Sequence, residues 1–464
     1  MGRLVTGGTA AFLAIGGFLF GYDSGIISST IVQPYFTAYM GTPSASETGG
    51  IVSSFTGGAI PGALSVAWLP DRYGRKMTVF IGAAISVLGC TLQAAAVNIP
   101  MMIAGRFIAG VSVGLLSAVV PMYCSEIATA DDRGKLSGLL QWMLSWGFFI
   151  AQWLGYGCFK VNSDFQWRFP LAFQVIPPGI MAVGIWFLQE SPRWLVEKDR
   201  HEEARAVLTK LHGNGLNEEF LELEYREIRD TIAAEKSLSV QTWRSLISRP
   251  SWRRRLALGC GVQAFGQLSG INVINYYGNV IYKILGISTS TSLMIVGISG
   301  ALSIVYCMYL WALAPRPICD GHQTSNGNAL RAMVAMNFVF SFFFTFIGII
   351  SWVYPAEIFP IEIRAKGNSI STLTNWCLNL PFAQTAPIAL EKMGFKFFYL
   401  FFVFNVIAAL CYAFFYPETK GKTLEQMDEL FGDQLVPHAL EDSAGAKATM
   451  SEKMHHLSHV DGAE

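Results

Sequence analysis

Gly16-Gly17-Phe18-Leu19-Phe20-Gly21-Tyr22-Asp23-Ser24-Gly25-Ile26-Ile27 is an apolar run with a carboxylate inside it. A helix needs about 20 apolar residues to cross the hydrocarbon core of a bilayer, and this run lies within such a stretch, 9–31. An acid at that depth is costly unless it is paired or hydrated, so by default it is a functional group. Asp23 is the only acid well inside a predicted span. In the same half of the chain one basic residue, Arg106, is expected at similar depth, within the stretch 101–123.

Composition points the same way. Of 464 residues 52% are hydrophobic and only 14% charged, where a soluble domain carries roughly 25% charge. Lys plus Arg and Asp plus Glu both total 33, and that balance offers nothing to a nucleic acid. Residues 1–4 hold one Arg and no small-residue cleavage site follows, so the first span is expected to stay uncleaved. Eight cysteines are scattered without a C-x-x-C pair, and neither a disulfide framework nor a metal site is expected.

Further apolar stretches at 50–69, 77–97, 101–123, 137–159 and 169–188 complete a first group of spans. A polar stretch, 189–255, separates it from a second group at 256–278, 291–313, 332–354, 369–391 and 396–416. The reading is therefore 1–188 as a six-helix bundle, 189–255 as a cytosolic loop with short helices, 256–416 as a second bundle, and 417–464 as a cytosolic tail. Basic residues gather at 72–76, 133–135, through 193–255, and at 364–366, while 32–49 and 98–100 have none. The basic loops belong on the cytosolic side. The residues Glu126-Ile127, Arg133 and Lys135 recur at the same spacing as Glu357-Ile358, Arg364 and Lys366. Two halves built on a repeat are a transporter signature. The count nevertheless reaches about eleven spans. Parity requires one more crossing between about 312 and 331, a segment too polar to supply it.

Asp71-Arg72-Tyr73-Gly74-Arg75-Lys76 joins the second and third spans as a tight charged turn, with Gly74 permitting the turn. Glu126, at the end of the fourth span, is placed to receive an Arg from it, so that breaking the pair opens the cytosolic side. A plain positive-inside loop and a headgroup-zone charge are the alternatives. Gly58 with Gly62, and Gly110 with Gly114, have the spacing that permits close helix approach. None of the seven histidines lies in a predicted span. If protons drive the protein, Asp23 must carry them with Arg106 as its partner; a static buried ion pair is the alternative.

The chain resembles a sugar porter of the major facilitator superfamily, of the fungal hexose-transporter type. The resemblance rests on Phe20-Gly21-Tyr22-Asp23, the 71–76 turn, Gly105-Arg106-Phe107, Tyr123-Cys124-Ser125-Glu126-Ile127, Glu190-Ser191-Pro192-Arg193-Trp194-Leu195, Gln267-Leu268-Ser269-Gly270-Ile271-Asn272, Tyr354-Pro355-Ala356-Glu357-Ile358-Phe359-Pro360 and Pro417-Glu418-Thr419-Lys420-Gly421. It implies an all-α, polytopic membrane fold of two six-helix bundles with sugar bound between them. It also implies sugar contacts at Gln141, Gln267, Asn272, Trp352 and Asn375, with Trp376 beside the last. Amides suit sugar hydroxyls because they both donate and accept. The cytosolic gate it implies comprises Asp71, Arg72, Arg75, Glu126, Arg133, Glu190, Arg193, Glu357 and Arg364.

The chain departs from the family where a paired Gln is Gly266-Gln267, with Gln263 about one turn away as a partial substitute. A second charged turn and a ninth helix are missing around 312–331. A gene-model or splicing error accounts for this best, and a real variant is the alternative. Glu357 and Arg364 are then expected to lose their gate partners.

The expected function is proton-coupled symport of a sugar, a hexose, by alternating access. A facilitative uniporter is one alternative, and a sugar sensor or non-transporting truncated variant is another. No cofactor beyond the coupling proton is expected. The expected partners are a sugar and the lipid bilayer, with no nucleic acid. The protein is read as a plasma-membrane monomer with both termini cytosolic. No phosphate loop, nucleophile elbow or metal cluster suggests an enzyme.

Overall fold

The computed structural model describes residues 2–128, 133–213, 218–238, 247–284, 287–313 and 327–419, together with 427 and 430–432. Among the described residues every regular element is a helix. The first half contains α1 (Gly2–Leu13), α2 (Ile15–Thr30), α3 (Pro34–Tyr39), α4 (Ala45–Ser65), α5 (Leu69–Tyr73), α6 (Arg75–Ala94), α7 (Ile99–Ile127), α8 (Arg133–Phe159), α9 (Phe165–Phe173) and α10 (Ile176–Gly184). The short α11 (Pro192–Glu197), α12 (His201–His212) and α13 (Glu218–Leu238) follow. The second half contains α14 (Pro250–Leu268), α15 (Ile271–Ile284), α16 (Thr289–Leu313), α17 (Gly327–Ile358), α18 (Ile361–Met393) and α19 (Phe398–Phe415).

Local chemistry sets the starts of several helices. Ser44 and Glu47 form a capping box at α4, which satisfies backbone donors that a helix start leaves without partners. The Asn98 side chain accepts from Met101 N at α7, and Pro100 stands in the first turn, where its missing N–H is no loss. Gly74 ends α5 and starts α6 at φ +89, in the region open to glycine and closed to most side chains. The turn expected at 71–76 is therefore present, and Gly74 is the residue that allows it.

Glycines bring the helix pairs together. A Cβ on Gly58 or Gly62 of α4 would run into the carbonyl of Phe107 or Val111 on α7. Reciprocally, one on Gly110 or Gly114 would meet the carbonyl of Phe55 or Ala59. A second seam joins α2 to α8, where Gly17 and Gly21 lie against the Leu140 and Leu144 carbonyls and Gly147 lies against that of Phe18. Backbone cannot step aside as a side chain can. Gly58→Ala is accordingly expected to lower stability by about 1–3 kcal/mol. Gly57→Ala, whose Cβ would meet nothing closer than Leu380 Cδ1 at 3.8 Å, should be near neutral. Thermal melts of the detergent-solubilised variants compare the two directly.

Six helical stretches among the described residues are long and apolar enough to cross a membrane by length and composition: Val5–Thr30, Arg75–Ala94, Ile99–Ile127, Phe165–Phe187, Val339–Ile358 and Phe398–Phe415. The remaining expected spans lie on α4, α8, α14 with α15, α16 and α18. Many of these are rich in Gly, Ser, Thr and amides, which lowers their mean hydropathy. Such helices can stand in a bilayer because their polar residues face protein.

The expected seventh span, 256–278, is not continuous. The chain turns at Ser269-Gly270, with Gly270 at φ +87, and so separates α14 from α15. Hydropathy does not register the break, since apolar residues continue on both sides of it.

Chain direction bears on the odd span count. Trp153 Nε1 of α8 donates to the Gly297 carbonyl of α16 at 3.1 Å, and Ser145 and Ser303 hydroxyls meet at 3.0 Å. Helix α16 is thus antiparallel to α8 and heads toward the end that carries 71–76 and Glu126, called here the charged end. Helix α17 heads the same way: Gly348 lies beside the Gln141 amide, and the Ile358 carbonyl accepts from Arg255 Nη1 at 2.9 Å. Helices α16 and α17 thus run in one sense. Their connection, 314–326, lies outside the described residues, as does most of the expected interruption at 312–331.

Candidate functional site

Helices from both halves meet along a central seam, and the amides expected to contact sugar gather there. At the α14–α15 break the Gln267 Oε1 accepts from Asn272 Nδ2, and Gln267 Nε2 donates to Asn375 Oδ1 on α18. The break is what brings Gln267 and Asn272 to one place, since a continuous helix would carry them past each other. Asn375 is 1% exposed and its Nδ2 has no partner, which leaves a buried donor at the end of the chain of amides. Gln263 is occupied otherwise: its Nε2 donates to the Ser351 carbonyl at 2.7 Å, and its Oε1 is buried without a partner.

Aromatic rings cover one side of this group. Phe20 of α2 meets Trp352 of α17 edge-on at 6.1 Å and Trp376 of α18 at 5.4 Å. Phe55 of α4 reaches Trp376 at 6.3 Å. Gln141 of α8 is half-buried beside Gly348. All five residues implied as sugar contacts thus lie on helices that face the seam. They include first-half and second-half contributors, as a ligand between two bundles requires.

Asp23 and Arg106 are both 0% exposed. They form no ion pair within 4.0 Å, and both Asp23 oxygens are buried without a hydrogen-bond partner. Arg106 is held from elsewhere: its Nη1 donates to Gln93 Oε1 at 3.4 Å, and its guanidinium lies 4.8 Å over the Phe55 ring. Its Nε and Nη2 have no partner. The expected pair is therefore close enough to interact through charge but not closed. Gln93 and Phe55 were not singled out from the sequence. The visible signal for Gln93 was an amide inside the apolar stretch 77–97.

The charged end is tied by one carboxylate. Glu126 takes Arg75 Nε and Nη2, each at 2.9 Å, and Ser191 Oγ at 2.5 Å. It also receives Arg364 Nη1 of α18 at 3.6 Å, across the seam between the halves. The expectation that Arg364 loses its gate partner is corrected by this contact. Its Nε is occupied by the Phe359 carbonyl at 3.1 Å, which aims the guanidinium. Glu357 likewise has a partner, Thr419 Oγ1 at 3.4 Å. Asp71 lies 3.6 Å from Arg75 Nη1.

Three further residues of the predicted gate behave differently. Arg72 is exposed and stacks over the Tyr73 ring at 5.5 Å. Glu190 serves the start of α6, accepting from Arg75 N at 3.0 Å, Lys76 N at 3.2 Å and Ser191 N at 2.9 Å. A carboxylate at a helix start is favoured by the orphan N–H groups there. Burial pushes its carboxyl up, against the pull of these donors. Arg193 is buried on α11, and the Arg133 side chain lies outside the described residues.

Comparison with known proteins identifies the family. The chain matches the sugar (and other) transporter family over residues 9–316 and again over 298–431. The two matched stretches overlap beside the interruption. It is 36% identical to the MFS-type transporter criB of Aspergillus cristatus, over 91% of this chain and 93% of that protein. It is 31% identical to a high-affinity glucose transporter of Kluyveromyces lactis, over 91% and 84%. The high glucose sensor RGT2 of Saccharomyces cerevisiae matches at 32% identity over 90% of this chain and 60% of that protein. Among solved structures, the proton:xylose symporter XylE bound to 6-bromo-6-deoxy-D-glucose superposes with a TM-score of 0.79 at 24% identity, over 93% of this chain and all of the other. At that identity the superposition speaks for the fold alone. Family match, relatives and fold all converge, and the chain belongs to the sugar transporters of the major facilitator superfamily, a family of membrane carriers and not of enzymes.

Proposed function

We propose that the protein carries a hexose across the plasma membrane together with a proton, by alternating access, as a monomer with both termini in the cytosol. The observation that carries this reading is Asp23: wholly buried, both oxygens unpartnered, with Arg106 in electrostatic reach but not bonded to it. A purely structural ion pair would be closed, because an uncompensated charge in the interior is strongly destabilising. An open arrangement leaves a carboxylate free to change its proton. The sugar lies between the halves, against Gln141, Gln267, Asn272 and Asn375, with Trp352 covering its apolar face. Binding displaces amide from amide, replaces those bonds with bonds to hydroxyls, and offers the buried Asn375 Nδ2 an acceptor that the empty site does not give it. The charged end is the cytosolic gate, and Glu126 closes it. No cofactor enters this reading.

The test is uptake of radiolabelled D-glucose by a host that lacks its own hexose carriers. Accumulation above the external concentration, collapsed by a protonophore, is the expected result. Uptake that equilibrates without protonophore sensitivity would make the protein a uniporter. The sensor reading draws on the match to RGT2, and glucose-dependent signalling without flux would establish it in place of transport.

A further inference from the structure

Asp23 and Arg106 stand apart although each has bare polar atoms: both oxygens of the acid, and Nε and Nη2 of the base. Opposite charges buried away from water attract strongly, so something holds the guanidinium back. Gln93, in the last turn of α6, takes it: its Oε1 accepts from Arg106 Nη1 at 3.4 Å. Gln93 is 0% exposed, and its Nε2 donates to the carbonyls of Gly89 at 3.4 Å and Gly105 at 3.5 Å. The amide orientation follows from chemistry. A backbone carbonyl only accepts, so the nitrogen faces the two glycines and the oxygen faces Arg106.

These contacts are long for hydrogen bonds, and packing is what fixes the side chain. A Cβ on Gly105 of α7 would lie 2.9 Å from Gln93 N and 3.0 Å from Gln93 Cγ. One turn earlier on α6, a Cβ on Gly89 would lie 2.4 Å from Ala109 N. Gln93 is thus clamped where α6 and α7 touch. The Phe55 ring, 4.8 Å from the guanidinium, attracts its charge but offers no lone pair to a particular N–H. Besides Arg106, the titratable groups around Asp23 are Cys90 of α6, Tyr276 of α15 and the adjacent Tyr22. Thiols and phenols are neutral in their ordinary state at pH 7, so the distance to Arg106 dominates the field at the carboxyl.

We propose that Gln93 is the positioning residue of the coupling pair: it holds Arg106 toward α6, keeps it from closing on Asp23, and thereby sets the pH at which Asp23 exchanges its proton. This rests on the reading of Asp23 as the coupling acid. A closed pair would favour the carboxylate at every stage of the cycle, whereas a coupling acid must regain its proton in each turn. Gln93 prevents that closure with a neutral acceptor, so it holds the cation without adding a charge of its own.

The test titrates Asp23 directly in the purified full-length protein. Infrared difference spectra follow the C=O stretch of protonated carboxyl groups against pH, and the part of the band lost in Asp23→Asn belongs to Asp23. Gln93→Leu keeps nearly the same volume and removes the acceptor. Arg106 then closes on Asp23, and the titration midpoint should fall by about 1–3 pH units, the range that an adjoining cation produces. Gln93→Glu gives Arg106 a charged partner and adds a negative charge near Asp23, so the midpoint should rise. The introduced carboxyl is subtracted with the Gln93→Glu/Asp23→Asn double variant. Loss of packing alone does not move two variants in opposite directions. Where Gln93→Leu yields too little folded protein, Gln93→Glu decides alone, and the absence of a rise overturns the role. Midpoints that stay put, or move the same way in both variants, overturn it too. Opposite shifts in a protein whose glucose uptake ignores pH and protonophore keep the positioning role and overturn symport. If no part of the band is lost in Asp23→Asn, Asp23 takes up no proton and both readings fall.

Discussion

Asp23→Asn is expected to abolish uphill sugar accumulation while sugar exchange across preloaded vesicles continues. Asn has nearly the shape of Asp and keeps an oxygen acceptor, so the packing of α2 against α8 at Gly21 and Gly147 is preserved. What it loses is the ability to take up and release a proton. Burial favours the neutral form of a carboxyl and a nearby cation favours the charged form. A coupling acid works by letting the conformational cycle change the balance between those two effects. Arg106 does not depend on Asp23 for its place, since Gln93 and the Phe55 ring hold it. The neutral variant is therefore expected to fold with Arg106 in place. Measured accumulation in Asp23→Asn should fall to the external concentration. Accumulation equal to the parent's, still collapsed by a protonophore, would remove Asp23 from the coupling mechanism.

Glu126→Gln is expected to open the charged end. Glu126 is the acid on which Arg75 of the first half and Arg364 of the second converge. All three side chains are at most 1% exposed. Removing the carboxylate leaves two guanidinium groups buried without their shared counter-charge, and losing one partner of a buried pair costs about 3–5 kcal/mol. The closed arrangement bears that cost, and hydration of the opened gate relieves it. The closed-to-open ratio should then move by about two to four orders of magnitude. Arg364→Ala removes only the longer contact at 3.6 Å and leaves the bidentate Arg75 pair at 2.9 Å, so its effect should be the smaller. Spin labels at Tyr73 and Arg253, both exposed at the charged end, would report the opening as a longer inter-label distance. A distance distribution unchanged in Glu126→Gln would show that this carboxylate does not hold the gate.

The helical membrane architecture was legible because hydropathy acts locally: each span needs only its own apolar residues. The charged turn at 71–76 and its acid Glu126 were legible for a related reason, since acids and bases at the ends of apolar stretches must be paired or solvated. The close approach of α4 and α7 could be read from the spacing of Gly58, Gly62, Gly110 and Gly114. The matching seam between α2 and α8 uses Gly17 and Gly21, which share that four-residue spacing, and Gly147, a single glycine whose partner only the packing of α8 reveals. The break before α15 was hidden because an average over 256–278 stays apolar across it.

By itself the chain's order of residues determined that the protein is a membrane-embedded helical carrier with one carboxylate at depth, and it led to the expectation of two related halves with one crossing unaccounted for. Local hydropathy, charge and motif spacing carry that information, and none of it depends on contacts between distant residues. Only the tertiary structure decided that Asp23 and Arg106 stand near each other without bonding, that Arg364 crosses to Glu126, and that Gln267 joins Asn272 to Asn375. Each of these depends on side-chain separations of a few ångströms between helices far apart in the chain. Those separations are set by where glycines let backbones touch and by how the two halves meet.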